Sequence, residues 1–281
     1  MFLLAGVFLS ALDTTAKVLM RDHSLFLVVW ARYAGQMLVV TPFAWHRGGM
    51  SFWRTQNLGL QLLRSMFLLA ATSLFFLALR FLPLAEGSAL MYMSPILIVV
   101  LSQPLLGERP TRVRWAAVIT GFVGVLVLLW PGGAVLHPAV LLALGAAVCN
   151  AVYQILTRRL PDDSVHTTLF YSGLVGAGGL TLALPWGWSG DALSWVDAGL
   201  LLALGAFAGF AHWLLITAFL IAPASLLTPF TYVQMLWATL FGYVVFRQLP
   251  DGWSALGICI IVGSGLALAL AERRRARLAR T

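Results

Sequence analysis

Six ionisable side chains stand inside otherwise apolar runs of the sequence: Asp13, Lys17, Arg32, Arg64, Glu86 and His212. An ionisable group at the centre of a bilayer costs about 2.5–3.5 kcal/mol on insertion scales, so each needs a partner, water or a function. Asp13 and Lys17 are four residues apart and share a helix face, where they can pair. Pairing and function are compatible, because a carboxylate paired in one state and released in another can carry a proton. Arg32 lies about two turns into its run. It can meet Asp13 or extend its stem outward, and Arg64, nearer the end of its run, is expected to extend outward. Glu86 falls at the start of a run, where interface exposure competes with gating. Asp13, Lys17, Arg32 and Glu86 are therefore candidates for coupling or gating. His212 is in mid-run, where an imidazole can bond a substrate carboxylate, relay a proton or simply pack.

A second group is polar but uncharged. Asn150, Tyr153 and Gln154 recur at helical spacing and point the same way, toward a ligand or a neighbouring helix. Ser88, Tyr92 and Pro95 share one face of an earlier run, and Thr228 and Tyr232 stand at equivalent places in a later one. Pro95 and Pro229 each free a backbone carbonyl, which is tolerable beside a cavity or in a bundle interior. Trp30, Trp213 and Trp237 lie deep in their runs, and a site faced by such rings favours an apolar or aromatic ligand. The expected substrate-binding set is thus Ser88, Tyr92, Pro95, Asn150, Tyr153, Gln154, His212, Trp213, Thr228 and Tyr232. Scarce fixed charge argues against phosphorylated cargo, which calls for Arg or Lys clamps, and favours a zwitterion or neutral metabolite. No zinc helix, carboxylate pair or phosphate loop is found, so neither metal, cofactor nor catalytic chemistry is expected.

The elements that must position these groups are membrane helices. Hydrophobic residues make up 60% and charged residues 10% of the 281 positions, far from the balance of a soluble domain. Ten apolar stretches emerge: 2–20, 25–45, 59–80, 84–105, 113–130, 138–158, 166–187, 197–220, 224–246 and 253–271. The first reads as a retained helix rather than a signal peptide, since no basic residue precedes it. Connecting loops are short, so function must reside in the bundle or at its mouths. The net charge of +8 is gathered in short arginine clusters, with Lys17 the sole lysine, a pattern of membrane orientation rather than nucleic-acid binding. Counted over the ten stretches, the arginines place both termini in the cytoplasm. Cys149 and Cys259 read as small buried hydrophobes.

Shifting the sequence by 140 residues superposes Pro83 on Pro223, Tyr92 on Tyr232 and Pro110 on Pro250. The shift divides the chain into residues 1–135 and 136–281, the second with a basic tail. Five stretches per half is an odd number, so the halves would be inverted repeats, a construction of secondary transporters that open to either side of one midplane site.

The segments Leu82-Pro83-Leu84-Ala85, Ser94-Pro95, Gly107-Glu108-Arg109-Pro110 and Ala222-Pro223-Ala224-Ser225 resemble those of the drug/metabolite transporter superfamily in its EamA-like branch. Arg247-Gln248-Leu249-Pro250 departs from the acidic-basic pair common there. The chain looks most like bacterial aromatic amino-acid exporters. That resemblance implies an all-α inner-membrane carrier that exports aromatic and other apolar amino acids by alternating access, with an importer or broad facilitator of the same fold as the alternative. An intramembrane lipid-modifying enzyme is a remote one. The expected partners are a small-molecule substrate and the bilayer, and a monomer suffices because one chain already holds two halves.

Overall fold

The structure, a computed structural model, describes residues 1–49, 53–107, 111–129, 137–160, 163–187, 193–221 and 234–278. It is all helical. In chain order the helices are α1 (Phe2–Leu19), α2 (Leu25–Gly48), α3 (Leu58–Leu79), α4 (Leu84–Met91), α5 (Ser94–Leu106) and α6 (Arg112–Leu128). They continue with α7 (Ala139–Arg158), α8 (Val165–Gly173), α9 (Gly179–Gly187), α10 (Trp195–Ile221), α11 (Gln234–Phe246) and α12 (Gly252–Leu278).

Among the described residues six segments are long and apolar enough to cross a bilayer: Leu25–Pro42, Leu58–Leu79, Leu84–Leu101, Ala139–Thr157, Trp195–Leu215 and Gly252–Ala271. This corrects the expectation of ten, and with it the five-plus-five inverted arrangement with both termini cytoplasmic. The shortfall has local causes. Helix α6 has only 17 residues and opens with Arg112 and Arg114, and α1, of 18 residues, carries Asp13 and Lys17. The expected stretch 166–187 is interrupted by a π-helical turn, Leu174–Gly178, between α8 and α9. Helix α11 holds 13 residues, and the expected residues 224–233 ahead of it lie outside the described ones.

The π turn has a visible origin. The ring of Tyr33 lies where a side chain at Gly176 would project, so only glycine lets the α2 ring press against that backbone. The stretch beginning at Leu84 is offset at Tyr92 and Met93. Proline has no N–H and crowds the carbonyl four residues back. Ahead of Pro95 the backbone accordingly tightens, Met93 bonding the Leu90 carbonyl at 3.1 Å, before α5 resumes at Ser94.

Packing relies on small residues. Helix α10 lies against both α1 and α2. It meets α2 through Gly205 and Gly209, spaced as G-x-x-x-G, the first backbone to backbone with Gly35 and the second against Val39. Helix α6 runs along α12 through Gly121, Gly124 and Gly257, and α3 along α7. Two buried clusters result, one centred on Leu12, Val28, Tyr33, Phe76 and Leu204, the other on Leu90, Ile96, Leu128, Ala143 and Ile261. Outward faces are apolar, with Leu38, Leu141 and Leu182 all exposed, as a surface bathed in lipid must be. Trp186 and Trp195, at helix ends, are almost fully exposed, matching an interfacial aromatic belt.

Candidate functional site

Helix α2 sorts its side chains by face. Gly35 and Val39 meet α10, while Tyr33 and Met37 meet Gly176 and Gly173. Leu38 points outward. At 3.6 residues per turn, Arg32 and Gln36 fall together on the remaining face, between the α10 and α8 contacts. Arg32 is 6% and Gln36 1% exposed. Neither is satisfied: Nη1 of Arg32 and both amide atoms of Gln36 are buried without a hydrogen-bond partner. The Arg32 guanidinium rests over the Tyr33 ring, 4.4 Å from its centroid.

Two further candidates lie within electrostatic range of Arg32. Asp13 of α1 interacts electrostatically with it, and so does His212 of α10. Asp13 shares its helix face with Gly6 and Ser10, both against Gln234 of α11, and with Lys17. Asp13 itself is half-buried. His212 is also half-buried, with Nδ1 2.7 Å from the Ala208 carbonyl, which leaves Nε2 as the atom available to a ligand. Trp213, one position on, is 38% exposed and turned away from His212 by the helical step.

Asp13 and Lys17 do not pair. The Lys17 ammonium instead donates to the carbonyls of Leu79, at 2.6 Å, and Leu82, closing the C-terminus of α3, and it lies 5.3 Å from the Phe246 ring centroid. A cation suits the negative end of a helix dipole. Glu86 is buried at 1% exposure rather than open at an interface, with Oε2 unpartnered and with Lys17 and Asp251 near enough to interact.

Arg64 also departs from expectation. It is fully buried, and its five N–H groups reach five neutral acceptors on α3, α7 and α8. Nε donates to Thr157 at 2.8 Å, Nη1 to Gln61 and to the Thr168 carbonyl, both at 3.1 Å, and Nη2 to Ser172 at 3.0 Å and the Tyr153 hydroxyl at 3.4 Å. Gln61 in turn donates to Asp163 at 2.8 Å. Nothing in the apolar pattern around Arg64 marks these acceptors, because they come from two distant segments of the chain.

The stripe on α7 divides. Tyr153 joins Arg64, whereas Asn150 donates to Ser94 at 3.2 Å and Ser94 to the Ala147 carbonyl at 3.1 Å, a tie between α5 and α7. Gln154, Tyr92 and Pro95 are half-buried, and Ser88 is buried with an unpartnered hydroxyl. Thr228 and Tyr232 lie outside the described residues. Gln36 escaped the sequence reading. Its signal was the i, i+4 spacing from Arg32 inside an apolar run.

No group of metal-binding side chains occurs among the described residues. The interior therefore offers a set of hydrogen-bond donors and acceptors, several of them on ionisable side chains, inside an apolar bundle. That arrangement can hold and release a small polar molecule.

Known proteins agree with this. The model of the EamA-like transporter family matches the chain twice, over residues 1–130 and 137–270. A riboflavin transporter of Vibrio cholerae is 32% identical over 254 residues, covering 89% of this chain and 84% of its own. An S-adenosylmethionine uptake transporter of Rickettsia prowazekii is 27% identical, covering 97% and 92%. A riboflavin transporter of Brucella anthropi is 27% identical, covering 87% of each. A solved crystal structure shares the fold with a TM-score of 0.67 at 23% identity, covering 95% of this chain and 96% of its own. The chain belongs to the EamA-like transporter family, and is a multi-pass carrier of small molecules in the bacterial inner membrane rather than an enzyme.

Proposed function

We propose that this carrier moves a planar heteroaromatic metabolite of flavin type, riboflavin foremost, by alternating access around the interior site of α1, α2 and α10. The observation that carries the reading is the unsatisfied pair Arg32 and Gln36, buried together on one face of α2. A ligand rich in hydrogen-bonding groups but without net charge suits such a site. A carboxylate, which only accepts, would leave the Gln36 carbonyl unmet, and a cation would meet the Arg32 charge. Likeness to riboflavin transporters over most of the chain supports the same class.

S-Adenosylmethionine shares the planar heterocycle but brings a fixed cation. Aromatic amino acids, the expectation from sequence, share the planar ring but bring a carboxylate and an ammonium. The proposal extends to two cooperating halves, residues 1–135 and 136–281, a division supported by the twofold match of the family model.

Complementation tests the substrate. A bacterial strain that can neither make nor import riboflavin should grow on low external riboflavin when it expresses this chain. No growth, with accumulation of S-adenosylmethionine, phenylalanine or tryptophan instead, would overturn the flavin reading.

A further inference from the structure

The Gln36 side chain is 99% buried, given its 1% exposure, and its amide has an unused donor and an unused acceptor. One turn earlier on the same face, Arg32 offers a further unused donor, and its guanidinium rests over the Tyr33 ring. Buried polar groups without partners are rare in folded proteins, and each one calls for an explanation. Here two residues one helical turn apart are unsatisfied, and between them they offer donors on both side chains and one acceptor.

Ligand chemistries differ in how well they answer that pattern. A carboxylate is acceptor only. It would satisfy Arg32 and the Gln36 N–H but leave the Gln36 carbonyl buried and unmet. An ammonium or sulfonium would meet the Gln36 carbonyl at most and would be repelled by Arg32. A cyclic imide, with two carbonyls flanking an N–H, answers every group. Its carbonyls accept from Arg32 and from the Gln36 amide N–H, its own N–H donates to the Gln36 carbonyl, and it is neutral.

We propose that Arg32 and Gln36 form the recognition site for the imide edge of the substrate, the pyrimidinedione edge in a flavin. The assignment rests on the flavin reading above and adds which atoms are read and by which residues. Unlike in the Asn150–Ser94 tie or the Arg64 network, no hydrogen bond joins Arg32 Nη1 or the Gln36 amide to a neighbouring helix among the described residues.

The test is binding to the purified, detergent-solubilised protein, read by quenching of flavin fluorescence, with riboflavin and its N3-methyl derivative as probes. Methylation removes the imide N–H and leaves both carbonyls. The native carrier should bind the methylated probe at least about tenfold more weakly, the worth of about 1.4 kcal/mol. Gln36→Leu should weaken riboflavin and erase most of the difference between the two probes, a non-additivity expected only of groups in contact. Arg32→Gln should weaken both probes about equally. Equal binding of the two probes to the native carrier overturns the imide assignment while leaving the flavin reading intact, and so does undiminished discrimination in Gln36→Leu. Failure of riboflavin to bind the native carrier overturns both. The native comparison needs no variant, so a misfolded variant does not decide the outcome.

Discussion

A Cβ placed on Gly35 would lie 2.5 Å from the Cα of Gly205, so α2 and α10 cross with backbone against backbone. This contact sets how near the Arg32 face of α2 comes to His212 of α10. Gly35→Val and Gly205→Val should each separate the helices, lowering the thermal stability of the detergent-solubilised protein and reducing transport. Gly199 has open space around its missing side chain, so Gly199→Ala serves as a control that should leave both unchanged. Melting by intrinsic fluorescence, beside flux in vesicles, checks the contrast.

Lys17 is expected to matter through the carbonyls it closes. Lys17→Met keeps the length of the side chain but strands the Leu79 and Leu82 oxygens, which should cost about 1–3 kcal/mol, the usual penalty for a buried polar group left unmet. A melting temperature unchanged from the native protein would contradict this capping role.

For Arg64 the prediction is a ranking. Arg64→Met removes all five donors from a fully buried cluster and should destabilise by at least about 3 kcal/mol, since hydrogen bonds to charged groups are worth about 1.5–3 kcal/mol. Arg64→Lys keeps the charge but cannot span Thr157, Gln61, Thr168, Tyr153 and Ser172, so it should recover little. Tyr153→Phe loses only the 3.4 Å contact and should be mildest. Thermal melting of the three variants orders them directly.

How far the sequence disclosed this depends on the range of the interactions. Helicity and membrane residence were legible because apolar composition acts at every position. Arg32 was legible as an unusual charge, but its residue type and position left open whether it meets Asp13 or extends outward, and its burial is a product of packing. The span count was not legible, because a run interrupted by a π turn at Leu174–Gly178 looks continuous to a window of average hydropathy. Lys17 and Arg64 were misread for a different reason. Neighbours in sequence suggested Asp13 for the one and solvent for the other, while the actual acceptors sit more than 60 and more than 85 residues away, except for Gln61. Side chains meet such partners only once helices pack, and no local pattern encodes the meeting. Gln36 illustrates the reverse case: its spacing from Arg32 was visible, but only burial without a partner shows that the pair is available.

The central claim is that the chain is a carrier for a neutral, planar heteroaromatic molecule, and solute counterflow in proteoliposomes tests it most directly. Vesicles preloaded with unlabelled riboflavin and holding no ATP should accumulate labelled riboflavin transiently. The exchange should be blocked by excess external riboflavin and unaffected by phenylalanine or tryptophan. Absence of riboflavin exchange in vesicles that do exchange S-adenosylmethionine or an aromatic amino acid would contradict the account.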